Sequence, residues 1–256
     1  MKKYTDYKNA SISMSSESYF INALDSLFKN NNIEYVLESG TFNGLGSTTT
    51  LAKSLIKNKS NIKEFFTIEI DKKYNKLAKK NLQSFSFITP ICGLSVSFDA
   101  AKQFIETDEA INFHEKFPDI YIDDIIDPKA FYLNEINGNL SGFNKQKKGS
   151  WLTNITNLFL KKNNNAFPQE NLLEFLLLKV KNKTPLILLD SAGGIGYLEF
   201  KKTMEIMHSF DFYLILDDVH HLKHFRSYWD VKQNSKFTIL SENIEHGWIL
   251  AKYSHQ

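Results

Sequence analysis

Short apolar runs recur along this chain, each closing on an acid or a glycine and each followed by a segment of different period. Tyr35, Val36 and Leu37 lead to Glu38, residues 65–70 carry Glu69 at their end, and residues 85–91 run into Cys92 and Gly93. Further on, 185–189 closes at Asp190 and 212–216 at Asp217 and Asp218. Runs of this length predict buried strands. Between them, 48–57, 72–82 and 196–210 return an apolar residue every three or four positions, which predicts crossover helices. Before the first strand, residues 16–30 place Tyr19, Phe20, Leu24 and Leu27 or Phe28 on one helical face, with Ser15 or Ser16 as a cap. At the other end, 237–240, a turn over 241–246 and 247–253 read as a β-hairpin. The pattern predicts an α/β fold of Rossmann-like type, with a seven-stranded, mostly parallel sheet and a C-terminal antiparallel hairpin.

The alternation fails between residues 96 and 183. That span holds the acidic and aromatic run FPDIYIDDIIDPKAFYLNEI, the loop NGNLSGFNKQKKGS, and apolar helical stretches at 151–160 and 172–180. Residues 120–122, ending at Asp123, have the spacing of a fourth strand, but counting back from the C-terminus places strands four and five at 185–189 and 212–216. The organisation expected is a core of residues 1–95 and 184–256 with a largely helical insertion at 96–183, a lid or acceptor-binding subdomain near the carboxyl ends of the strands. Residues 1–15 are polar and read as a frayed terminus, although SISMSS has the composition to order over a ligand.

Composition narrows the partners. The 256 residues carry a net charge of +2 with acids and bases interspersed, so no basic stripe points to nucleic acid. Cys92 is the single cysteine, which suits a reducing compartment and a packed residue better than a nucleophile. No apolar stretch reaches membrane-spanning length and no signal-peptide core is present. A cytoplasmic protein acting on a small molecule, with no membrane partner, is expected; a homodimer stays open.

The candidate chemistry starts at the first strand. Glycines at 40, 44 and 46 follow it, and Ser47 opens the next helix, so the strand runs through a glycine turn into a helix. Such a turn lets backbone approach a ligand while free N–H groups at the helix start face it. A G-x-G-x-x-G match on Gly44 and Gly46 fails at Thr49, which weakens a dinucleotide-dependent oxidoreductase. Glu69, at the end of the second strand, has the spacing of an acid that accepts both ribose hydroxyls, and Asp71 beside it reads as a helix cap.

The sequence Glu38-x-Gly40-Thr41-Phe42-Asn43-Gly44, followed by Ser47 and Thr48, resembles the first motif of class I S-adenosylmethionine-dependent methyltransferases. Phe42, where many members have glycine, brings it nearer to the small-molecule O-methyltransferases of the catechol and caffeoyl-coenzyme A type. The resemblance covers residues 33–93 and 185–253. It implies that Glu38, Gly40, Thr41, Phe42, Asn43, Gly44, Ser47, Thr48, Glu69, Ser95 and Asp190 hold S-adenosylmethionine. It also implies that Asp190 and Asp217, with Asp218 in place of the family's usual asparagine, bind Mg²⁺ or Mn²⁺ beside the acceptor hydroxyl. The small, flexible stretch 191–196 departs from metal-bearing relatives, so a metal-independent site stays open.

Asp190 and Asp217 are therefore candidate catalytic residues, together with His220 and His221. If the segment after strand five is helical, His220 and His224 share a face near Asp217 or Asp218, and an imidazole held by a carboxylate is a general base. Surface histidines with Asp218 as a cap are the alternative. The expected activity is methyl transfer to a hydroxyl or amine of a small polar molecule such as a carbohydrate or polysaccharide precursor. Tyr121, Phe131, Tyr132 and Trp151 are candidate walls, and a non-catalytic partner subunit of the same fold is the remaining rival.

Overall fold

A computed structural model describes residues 14–136, 169–191 and 193–256. Its strands are β1 (Tyr35–Ser39), β2 (Glu64–Glu69), β3 (Ile88–Cys92), β4 (Leu186–Leu189), β5 (Phe212–Leu216), β6 (Phe237–Asn243) and β7 (Trp248–Tyr253). They form one sheet in the order β3-β2-β1-β4-β5-β7-β6. The first five are parallel, and β7 runs antiparallel between β5 and β6. This is the seven-stranded, mostly parallel sheet with a C-terminal antiparallel pair that the sequence pattern predicts. A dinucleotide-binding sheet continues instead in the order 3-2-1-4-5-6.

Alternation along the strands builds two cores. Leu37, Ile187, Leu189, Leu214 and Leu216 face one side, where α7 (Leu172–Val180) and α8 (Gly196–Met207) cover them. Val36, Leu186, Leu188 and Ile215 face the other, beneath α1 (Ser18–Asn30) and α2 (Ser47–Lys57). Because β4 and β5 are covered on both faces, they read as unbroken apolar runs.

Several boundaries differ from the sequence reading. Glu17, not Ser15 or Ser16, caps α1 by accepting from the N–H groups of Tyr19 and Phe20. Its carboxylate also accepts from Trp248 Nε1 at 2.9 Å. β2 starts and ends one residue earlier than expected. Residues 85–87 are not yet strand, since the Phe85 N–H is spent on a turn to the Leu82 carbonyl. Asp71 does cap α3 (Lys72–Asn81).

Residues 120–122 are not the fourth strand. Tyr121 makes an isolated parallel bridge to His221, its N–H donating to the His220 carbonyl at 2.8 Å. In the described part of the expected insertion, α4 (Phe98–Thr107), α5 (Glu109–Asn112) and α6 (Pro128–Asn134) surround a third core of Leu94, Phe104, Ile111, Ile122 and Tyr132. That core also takes in Ile195 and Leu222, from the loops after β4 and β5. The sequence reading grouped residues 172–180 with the insertion, but they form the crossover helix α7 inside the sheet's own core. Trp151 and the stretch 151–160 lie outside the described residues. No helix among the described residues is long and apolar enough to cross a membrane.

Candidate active site

The glycine turn is fixed by the close approach of two strand ends. Gly40 has φ +97°, and a Cβ there would stand 2.1 Å from the carbonyl oxygen of Asp190. Only glycine allows the ends of β1 and β4 to meet this way. Gly40 and Thr41 both donate their N–H to the Ile68 carbonyl, at 3.0 and 3.1 Å, which ties the turn to β2 as well.

Glu69 then organises the space beyond. One of its oxygens accepts the Phe42 N–H at 2.7 Å and the other the Asp71 N–H at 2.8 Å. The carboxylate thus joins the turn to the start of α3, and burial raises its pKa. The ring of Phe42 lies 4.2 Å from that of Tyr74, centroid to centroid. These groups line a cavity of about 300 Å³ at the carboxyl ends of β1 to β4, which also takes in Ser95, Asp190 and Glu199.

Of the residues expected to hold a cofactor, Gly40, Phe42, Glu69, Ser95 and Asp190 line this cavity. Glu38, Thr41, Asn43, Gly44, Ser47 and Thr48 do not; they build the turn behind it. Glu38 is fully buried and accepts from Ser47 Oγ at 2.7 Å and from Thr48 Oγ1 and Thr67 Oγ1 at 2.6 Å each. Burial raises its pKa to about 7 against the pull of those three hydroxyls.

A second cavity of about 340 Å³ shares Gly40, Phe42, Glu135 and Asp190 with the first, and adds Tyr121, Asp123, Asp218, His221 and Lys223. Carboxylate oxygens of Asp190, Asp217 and Asp218 lie within 4.8 Å of one another, as the metal reading expects. The ammonium of Lys223 is among them, 3.0 Å from Asp190 Oδ1 and 2.8 Å from Asp218 Oδ2. Burial alone would lower the lysine's pKa, but the three carboxylates more than offset it and hold it protonated. In return the lysine's charge lowers the pKa of Asp218. Burial, and next the charge of Asp190, raise the pKa of Asp217 well above the usual carboxylate range, and a side-chain hydrogen bond links it to Asp190.

The histidines do not share a helical face. Residues 219–224 form turns, and α9 (Phe225–Gln233) begins only after His224, which is fully buried against Ser227. Burial and then the charge of Lys223 hold His224 neutral. His220 turns its Nε2 to the carbonyl of Ile244, away from the second cavity. His221 does line that cavity. Its Nδ1 accepts the Lys223 N–H at 3.0 Å, so Nε2 carries the proton and donates to Asp123 Oδ2 at 3.1 Å. Tyr132 also donates to Asp123, at 3.0 Å, and Phe131 packs on the third core instead.

Four cavity residues carried no assigned role in the sequence. Asp123 sits in the acidic run and Lys223 among the histidines. Glu135, which lines both cavities, has its pKa raised to about 7 by burial and the charge of Asp123. Glu199 is fully buried, with Ser39 and Ser191 donating to Oε2 at 3.0 and 2.7 Å. Burial raises its pKa, against hydrogen bonds from the Ser95, Ser191 and Ser39 hydroxyls.

No family model matches the chain, and no curated protein matches its sequence. Solved structures do resemble its fold. An O-methyltransferase from Bacillus cereus in complex with SAH is 13% identical, over 98% of this chain and 88% of that one, with a TM-score of 0.47. An rRNA methylase from Streptococcus thermophilus is 8% identical over 92% and 94%, with a TM-score of 0.41. M. capricolum TrmK in complex with SAH is 13% identical over 93% and 69%, with a TM-score of 0.36.

Proposed function

We propose that the protein is an S-adenosylmethionine-dependent methyltransferase acting on a hydroxyl or amine of a small polar molecule. The observation that carries this reading is the pair of adjoining cavities at the carboxyl ends of the strands, the first closed by the Gly40 turn and Glu69 and the second by the acids after β4 and β5.

The residues of the first cavity fit the cofactor. Glu69 uses both oxygens on backbone N–H groups yet keeps lone pairs for two ribose hydroxyls. Phe42 and Tyr74 offer ring faces to a purine. The buried carboxylate of Glu199, in the wall of the same cavity, supplies an acceptor for the α-ammonium of the methionine part. When bound, the cofactor supplies an activated methyl group: the S–CH₃ bond breaks as the bond to the acceptor forms, and the electron pair stays on sulfur. The protein has to hold the acceptor in line and take its proton. Glu135 suits proton removal at neutral pH, because its pKa is about 7 and it lines both cavities.

A small acceptor fits better than nucleic acid. The second cavity presents Asp123, Glu135, Asp190 and Asp218 against one lysine, which repels phosphate.

Calorimetric titration with S-adenosylhomocysteine tests the reading. Micromolar binding that weakens at least about tenfold in Glu69→Ala is expected. Binding of NAD(H) in place of S-adenosylhomocysteine, or of neither, overturns it.

A further inference from the structure

Three carboxylates converging at the ends of β4 and β5 have the oxygen chemistry of a divalent cation site, and the family resemblance implies Mg²⁺ or Mn²⁺ there. The residues present do not fit that ion. A divalent ion bound to Asp190 and Asp218 would need its oxygens at about 2.0–2.6 Å. Those same oxygens already hold the Lys223 ammonium at 3.0 and 2.8 Å, so ion and ammonium would crowd one another as like charges.

The lysine is built into this position. Its side chain is only 5% exposed. Its backbone N–H is bonded to His221 Nδ1 at 3.0 Å. Its stem lies against the first turn of α8 at Gly196, where a Cβ would come within 2.3 Å of Lys223 Cγ. Gly196 therefore has a physical reason: it admits the lysine stem to the acidic cluster. A side chain that could swing aside for a metal would need no such clearance.

The geometry points to Lys223 as the resident cation of this strand-end cluster, standing in the place of a divalent metal at the wall of the second cavity. Two of its N–H groups are given to Asp190 and Asp218, and the third serves as donor to an acceptor oxygen. The charge balance a metal would provide is thus covalently attached, and metal is not required. The inference rests on the proposed methyl transfer only for the acceptor's role; the cation's placement stands apart from it.

Mn²⁺ itself is the probe, followed by electron paramagnetic resonance at pH 7.5 on the full chain, with S-adenosylhomocysteine binding measured on the same samples. Wild type is expected to bind no Mn²⁺ up to roughly 1 mM, while Lys223→Met, which keeps length and removes charge, binds at least about tenfold more tightly. Lys223→Arg should stay without Mn²⁺. Lys223→Gln serves in place of the methionine variant if circular dichroism shows the latter unfolded. Wild-type binding tighter than about 100 µM that vanishes in Asp190→Asn overturns the inference, as does a folded, uncharged variant that gains no Mn²⁺. Loss of S-adenosylhomocysteine binding with the Mn²⁺ pattern intact would instead count against the methyltransferase reading alone.

Discussion

His221 and Asp123, 98 positions apart in the chain, are joined by a hydrogen bond of 3.1 Å from the ring Nε2 to Oδ2. The bond becomes possible because Tyr121 bridges to the backbone around His221, carrying Asp123 over the loop after β5. Since Nδ1 already accepts the Lys223 N–H, one tautomer is selected. Long-range ¹⁵N correlation spectra should show His221 protonated on Nε2. Asp123→Ala should free that nitrogen while the Lys223 N–H still holds Nδ1 as an acceptor, so the Nε2–H tautomer should persist with a shifted Nε2 resonance. A wild-type spectrum with the proton on Nδ1 would refute the arrangement.

Gly40→Ala should be severely destabilising. The added Cβ meets the Asp190 carbonyl at 2.1 Å, and φ is +97°, so neither backbone nor neighbour can give cheaply. A loss of at least about 2 kcal/mol in denaturant melts is expected, with S-adenosylhomocysteine binding lost. A variant with wild-type stability would show that β1 and β4 do not approach as described.

Glu199→Gln should weaken S-adenosylhomocysteine binding roughly tenfold while preserving the fold, because the amide keeps the hydrogen bonds to Ser39 and Ser191 but removes the charge facing the cofactor's ammonium. Calorimetry on the two proteins checks this. Equal affinities would make Glu199 a purely structural anchor for the serines.

Glu38 sets a pH dependence of stability. Its pKa is raised from 4.5 to about 7 in the folded state, so between these values the folded protein binds more protons than the unfolded chain. Its contribution is therefore greatest at the acid end of this window and declines as pH rises from 4.5 to 7, by roughly 3 kcal/mol in all. Glu38→Gln should flatten that slope in urea melts at pH 5 and pH 8. An unchanged slope would assign it to other groups.

Glu135 should govern the pH profile of turnover. In a screen of hydroxylated and aminated small molecules read by S-adenosylhomocysteine release, the rate with any acceptor that reacts should fall as pH drops below about 7. Glu135→Gln should lose about a hundredfold in kcat and the inflection with it. A profile that keeps its inflection in the variant would move the base elsewhere.

The scaffold of the site was legible in the sequence because burial writes itself into local pattern. Strands covered on both faces need continuous apolar runs, and the acids that end or follow them, Glu69, Asp190 and Asp217, mark the carboxyl ends of β2, β4 and β5. The glycine turn was legible for the same reason, since Gly40 answers a local backbone requirement. What the tertiary structure alone decided was which charges meet. Glu38 and Ser47 looked like ligand contacts and instead satisfy each other inside the turn. Lys223 reaches Asp190 across 33 positions, and Ser39 reaches Glu199 across 160. A single charged side chain leaves no periodic trace of its partner, because its energy depends on the burial and neighbours that only the folded chain supplies. The run of apolar residues fixed where the carboxylates emerge, and the packing of α8 and the residues after β5 placed a lysine among them.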